Sequence, residues 1–106
     1  MSHKFIHYLR NERRRRALSQ ADIAALLGGG WKSRVSKYEH GVVPPTSVAI
    51  DYQIILRKPV VDLLAGVADA ERAKVRRNAQ ELLRSERTPN TPRRWLRHKT
   101  LEEIVA

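Results

Sequence analysis

Residues 18–41, LSQADIAALLGGGWKSRVSKYEHG, constrain the fold more than any other part of this chain. Ser19 is placed to N-cap a helix in which Ile23 and Leu27 lie one turn apart, and the small Ala24 sits where a crossing helix needs close approach. Gly28, Gly29 and Gly30 tolerate the left-handed backbone that ends one helix and re-aims the chain. A second helix is expected from near Lys32 to His40, with Val35 and Tyr38 three apart to face a core and Gly41 as its stop. Two short helices hinged through glycines in this way read as a helix-turn-helix.

The flanking sequence is also helical in character. Phe5, Ile6 and Leu9 give a first helix an apolar side, and that helix is expected to fray within the arginine run 13–16. Pro44 and Pro45 make residues 42–46 an extended loop. Thr46 or Ser47 can cap a fourth helix, where Val48, Ala49, Tyr52, Ile55 and Leu56 keep a helical period up to Lys58 and Pro59. Pro59 suits the first turn of a fifth helix, residues 60–64, which Gly66 closes. The expectation is therefore an all-α protein whose residues 1–66 form a five-helix domain.

Residues 67–106 change in character. Asp69 can cap a longer helix reaching about Arg87, along which Val75, Ala79, Leu82 and Leu83 form an apolar stripe among charges. Such a stripe fits either a lid on the domain's own core or a dimer seam. Residues 88–92 read as a linker, and the tail that follows has a capping-box spelling at Thr100 and Glu103. A free helix as short as the remainder is not stable in water, so Trp95, Leu96, Leu101, Ile104 and Val105 are expected to pack onto one protomer or the other.

Charge narrows the class of partner. With 21 Lys and Arg against 11 Asp and Glu, the formal charge is +10 over 106 residues, which points to a polyanion. The excess is spread over both parts of the chain. There is no cysteine for a disulfide or a thiolate metal site, no signal-peptide pattern and no run of 18 apolar residues, so a soluble cytoplasmic protein without membrane contact is expected. His3 and His7 are four apart, yet no third ligand has matching spacing; neither a metal nor a cofactor is expected. No paired-carboxylate, nucleophile or phosphate-loop constellation suggests an enzyme.

The co-occurrence of Ser19-Gln20, Ala24, Tyr38-Glu39-His40-Gly41 and Pro44-Pro45 resembles the Cro and lambda-repressor type of helix-turn-helix domain, the XRE family, over roughly residues 5–66. The turn through Gly28, Gly29, Gly30 and Trp31 departs from it, being longer than the common form and lacking the usual Ser or Thr cap. The resemblance implies that the second helix of the motif enters the major groove of double-stranded DNA while the first lies across the phosphates. Lys32, Ser33, Arg34, Ser36 and Lys37 are then the base-contact candidates, with Arg34 favoured because arginine against guanine is the commonest specific contact. Gln20 resembles the family residue whose amide grips a phosphate, its alternative being a capping role; Arg13, Arg14 and Arg16 join it as phosphate candidates. The counterpart of Glu39 pairs with an arginine of the first helix, here Arg10, and Tyr38 belongs to the core. Trp31 is read as a hydrophobic plug at the turn.

Taken together, these features lead to the expectation of a bacterial or phage transcriptional regulator, a repressor binding a pseudo-palindromic operator as a homodimer through the stripe at Val75, Ala79, Leu82 and Leu83. The alternative is an antitoxin, which binds a toxin protein through residues 67–106 and represses its own operon.

Overall fold

The computed structural model describes residues 8–106; the histidines and apolar residues singled out at positions 3, 5, 6 and 7 lie outside them. The described residues form α1 (Leu9–Arg15), α2 (Gln20–Leu26), α3 (Lys32–Glu39), α4 (Thr46–Leu56), α5 (Val60–Leu63), α6 (Ala65–Ser85) and α7 (Pro92–Val105), with no strand among them. The chain divides into two compact units, residues 1–68 and 69–106.

In the first unit one core gathers Leu9 from α1, Ile23 and Ala24 from α2, Val35 and Tyr38 from α3, Val48, Tyr52 and Leu56 from α4, and Leu63 and Leu64 at the end of α5. Three- and four-residue spacings within each helix put these side chains on one face, and burying each large one contributes about 1.5–3 kcal/mol. Tyr38 and Tyr52 meet edge to face with ring centres 6.3 Å apart, the arrangement their quadrupoles favour.

The ends of α1, α2 and α3 repeat one device. Beyond α2, Gly28 N donates to Ala25 O and Gly29 N to Ala24 O; beyond α3, Gly41 N donates to Tyr38 O and Val42 N to Lys37 O. Both are paired Schellman bonds turning on a glycine of positive φ, 105° at Gly28 and 119° at Gly41. The same pair closes α1, where Ala17 N donates to Arg14 O and Leu18 N to Arg13 O, but an alanine holds the left-handed position at φ 59°. At the other end of α2, Ser19 and Asp22 form a reciprocal capping box, Asp22 N donating to Ser19 Oγ and Ser19 N to Asp22 Oδ2.

Several boundaries correct the sequence reading. Neither Thr46 nor Ser47 caps α4 by its side chain; Pro45 holds the cap position, and its carbonyl accepts from Ala49 N. Pro59 likewise precedes α5, whose first amide, Val60 N, donates to the side chain of Gln53. Gly66 does not close α5 and Asp69 does not open a helix, because α6 begins at Ala65, immediately after Leu64. Leu63 and Leu64 are buried in the core, so the chain turns at these apolar anchors and tolerates a glycine inside the new helix at about 1 kcal/mol relative to alanine.

In the second unit, α7 is a 14-residue helix rather than a short tail. Thr91 caps it, accepting from Arg94 N, with Pro92 in the first turn. Thr100 lies mid-helix and donates its hydroxyl back to Leu96 O, so it is not a cap. Glu86, just past α6, pairs with Arg97 and His98 of α7, while Val75 and Ile104 line a common cavity farther along, so α7 runs back along α6. Ala79 is buried within the chain, a correction to its placement in a dimer seam; Leu83 is half-buried, while Val75 and Leu82 are exposed. No helix among the described residues is long and apolar enough to cross a membrane.

Candidate nucleic-acid interface

The site is built on α3, whose inner side is fixed by a polar network as well as by the core. Glu39 accepts from Arg13 Nε at 2.6 Å, from Arg13 Nη2 at 3.1 Å and from Gln20 Nε2 at 3.2 Å, so one carboxylate ties α1, α2 and α3 together. The Arg13 fork also donates through Nη1 to Leu18 O at 2.9 Å. The Glu39 side chain is 1% exposed and that of Arg13 10%, which makes this a buried ion pair rather than a surface one. Its hydrogen bond to Glu39 raises the Arg13 guanidinium above its ordinary value, against the burial that opposes charge.

The network corrects two assignments. Glu39 pairs with Arg13 and not with Arg10, whose side chain is exposed. Arg13 follows Leu9 by four residues and so shares the buried side of α1, whereas Arg10 is rotated away from it. Arg13 is consequently committed inside the domain and is not available to a phosphate. Gln20 stands at the first position of α2 with its amide on Glu39, retaining one N–H.

Of the remaining arginines in the run, Arg16 donates to the carbonyl of Glu12 at 2.8 Å and to its carboxylate at 2.7 Å, Arg15 reaches the same carboxylate at 3.2 Å, and Lys58 lies 3.6 Å from it. The Arg16 hydrogen bond holds the Glu12 carboxyl below the usual carboxylate range, outweighing its burial, with Lys58 and Arg15 adding to the effect. Arg14 is exposed and has no partner among the described residues. The periodicity of the apolar residues carried no signal for Glu12 as a hub of three cations.

The outward side of α3 carries Ser33, Lys37 and His40, with Lys32 and Arg34 at its flanks; all five are exposed and Ser36 is half-buried. At 100° per residue Ser33, Lys37 and His40 lie opposite Val35 and Tyr38, whereas Lys32 and Arg34 stand beside that inner side, one turn from Val35 and from Tyr38. His40 was not among the candidates; its Nδ1 donates to the Ser36 carbonyl at 2.7 Å and meets the Ser36 hydroxyl at 3.4 Å. Arg34 Nε donates to the Tyr38 hydroxyl at 2.8 Å, and its guanidinium lies 5.7 Å from the centre of that ring, which fixes the stem and leaves the two terminal nitrogens out of that bond, Nη1 lying near Gly30.

Trp31 is not a plug. It occupies the N-cap position of α3, its carbonyl accepting from Arg34 N, and its side chain is 76% exposed beside Lys32. With Gly28, Gly29 and Gly30 all at positive φ before it, the turn carries no side chain that buries the indole. Among the described residues no group of His, Cys, Asp and Glu is arranged to hold a metal ion. No protein-family model, curated protein or solved structure matches the chain.

Proposed function

We propose that the chain is a sequence-specific DNA-binding transcriptional regulator in which α1 to α5 form a lambda-repressor-like domain and α3 enters the major groove. One observation carries this reading. The inner side of α3 is locked to α1 and α2 through Glu39, while its outer side offers the polar and cationic groups Ser33, Lys37 and His40, flanked by Lys32 and by Arg34, which Tyr38 stiffens. A rigid helix with a donor-rich outer side meets the two requirements of direct readout, fixed register and groups that reach base edges.

In this mechanism Arg34 and Lys37 read bases, Ser33 and Ser36 add adaptable hydrogen bonds, and the phosphates are held by Arg14, by the free N–H of Gln20 and, at the edge, by Arg16. The net charge of +10 supplies the salt-dependent, sequence-independent part of the affinity. A single helix reads few base pairs, so the working unit is a homodimer whose two copies of α3 lie about 34 Å apart on a pseudo-palindromic site. Val75 and Leu82, seven residues apart and exposed, remain as the seam. The exposed Trp95 and Leu96 on α7 support a second reading, an antitoxin whose second unit binds a toxin protein; purification from the native host separates a stable heteromer from a homodimer.

The test is Arg34→Ala and Lys37→Ala measured on a preferred site and on random duplex. Loss of about 1–3 kcal/mol of discrimination per residue supports base readout, and equal weakening on both DNAs refutes it.

A further inference from the structure

Where the loop after α6 enters α7, Glu86, Arg87, Arg94 and Arg97 line a cavity of about 300 Å³. Its charges are unequal in availability. Glu86 is consumed by Arg97 and by His98, whose Nδ1 lies 2.7 Å from it, and His98 also reaches Glu102 at 3.3 Å. Arg87 and Arg94 have no acidic partner among the described residues. Between Glu86 and Glu102 the chain has no acidic residue at all, while Arg87, Arg93, Arg94, Arg97 and Lys99 fall in that interval. At the start of α7 the Thr91 hydroxyl already accepts from Arg94 N, so what the cavity offers an anion is chiefly guanidinium charge.

We propose that this cavity is a phosphoanion site in which Arg87 and Arg94 grip the oxygens of a phosphate group from two sides. Arg97 is held as its inner wall by Glu86, and that carboxylate, turned to Arg97 and His98, has its repulsion toward an anion offset. Two planar forks lining one cavity can each offer a pair of N–H donors to a phosphate, the bidentate mode by which arginine recognises that group. The phosphate has two sources, the DNA backbone or a free phosphorylated small molecule, and in either case the second unit contributes a site independent of α3.

The experiment uses the full chain and inorganic pyrophosphate as probe, followed by calorimetry and by the fluorescence of Trp95, next to Arg94, in a Trp31→Phe background. Saturable binding is expected, weakened roughly tenfold by each of Arg87→Gln and Arg94→Gln, since each removes charge-assisted hydrogen bonds, and left intact by Lys99→Gln. Both arginines are exposed and without an acidic partner among the described residues, so unchanged helicity by circular dichroism is expected. Non-saturable binding, or binding that both substitutions leave unchanged, overturns the site. The source is read from duplex DNA: a salt dependence flattened by about one unit of log-log slope per substitution assigns the phosphate to DNA, and an unchanged slope beside lost pyrophosphate binding assigns it to a free ligand. The pyrophosphate arm contains no DNA, so its result stands whether or not α3 reads sequence.

Discussion

Replacing Arg13 with alanine tests whether the interior of the first unit is organised around Glu39. The substitution removes two donors from Glu39, at 2.6 and 3.1 Å, and one from the Leu18 carbonyl at 2.9 Å. It leaves a carboxylate that is 1% exposed in the native fold with Gln20 as its remaining donor at 3.2 Å. Breaking a buried pair by deleting one partner costs about 3–5 kcal/mol, because the surviving charge stays desolvated. A small domain has about 5–15 kcal/mol in all, so Arg13→Ala is expected to shift the urea midpoint far toward zero with little change in m. Arg10→Ala, at an exposed position, is expected to stay within about 0.5 kcal/mol of wild type. A double-mutant cycle with Glu39→Gln isolates the pair from the fork's bond to Leu18. The reasoning is refuted if Arg13→Ala costs less than about 1 kcal/mol, the value of a solvent-screened pair, or if Arg10→Ala costs as much.

Three further outcomes follow from individual residues. Ala17 holds the left-handed position of a Schellman motif that glycine holds after α2 and α3, so Ala17→Gly should raise stability by about 0.5–1 kcal/mol in denaturant melts; a loss would show that the strain is relieved elsewhere. The Tyr52 hydroxyl is buried without a hydrogen-bond partner among the described residues, and burial pushes its phenol well above the ordinary value, with the Glu39 carboxylate adding to the shift. Burial penalises the phenolate and not the neutral phenol, so stability is unaffected by this group below the unfolded-state value near 10 and falls as pH climbs above it; Tyr52→Phe should therefore be neutral or stabilising by about 1 kcal/mol at pH 7 and should blunt the alkaline loss, and a cost above about 1 kcal/mol would show that the hydroxyl is bonded. Trp31 stands exposed at the start of α3, so in a Trp95→Phe background its emission should be quenched by duplex DNA, and unchanged emission at saturation would place the indole away from the bound nucleic acid.

Much of the helical plan was legible in the sequence. Ser19, Gly28 and Gly41 are short-range signals, each acting on backbone groups within a few residues, and they place the ends of α2 and α3. Tertiary anchoring overrode equally local signals elsewhere: Gly66 and Asp69 spell a stop and a start, but Leu63 and Leu64 already fix the turn and α6 runs through both. Thr100 and Glu103 spell a cap, yet Thr91 and Pro92 start α7 nine residues earlier than Thr100, and the return of α7 to Glu86 supports a helix that the tail alone would not hold. In the site, the outward set on α3 follows from helical arithmetic. Arg13 was legible by the same arithmetic, four residues after Leu9, and was hidden because a run of arginines at a helix end reads as a set of phosphate contacts. The convergence of Arg15, Arg16 and Lys58 on Glu12 has no such signature, since Lys58 arrives from the far end of α4.

The central claim is that α3 reads base sequence, and selection of bound sites from random duplex DNA by the full chain tests it most directly. One enriched motif is predicted, with two-fold related halves spaced by one helical turn and with enrichment lost in Arg34→Ala combined with Lys37→Ala. Retention of all sequences alike, with binding that falls with salt but not with sequence, would contradict it and leave a basic protein that holds nucleic acid by charge alone.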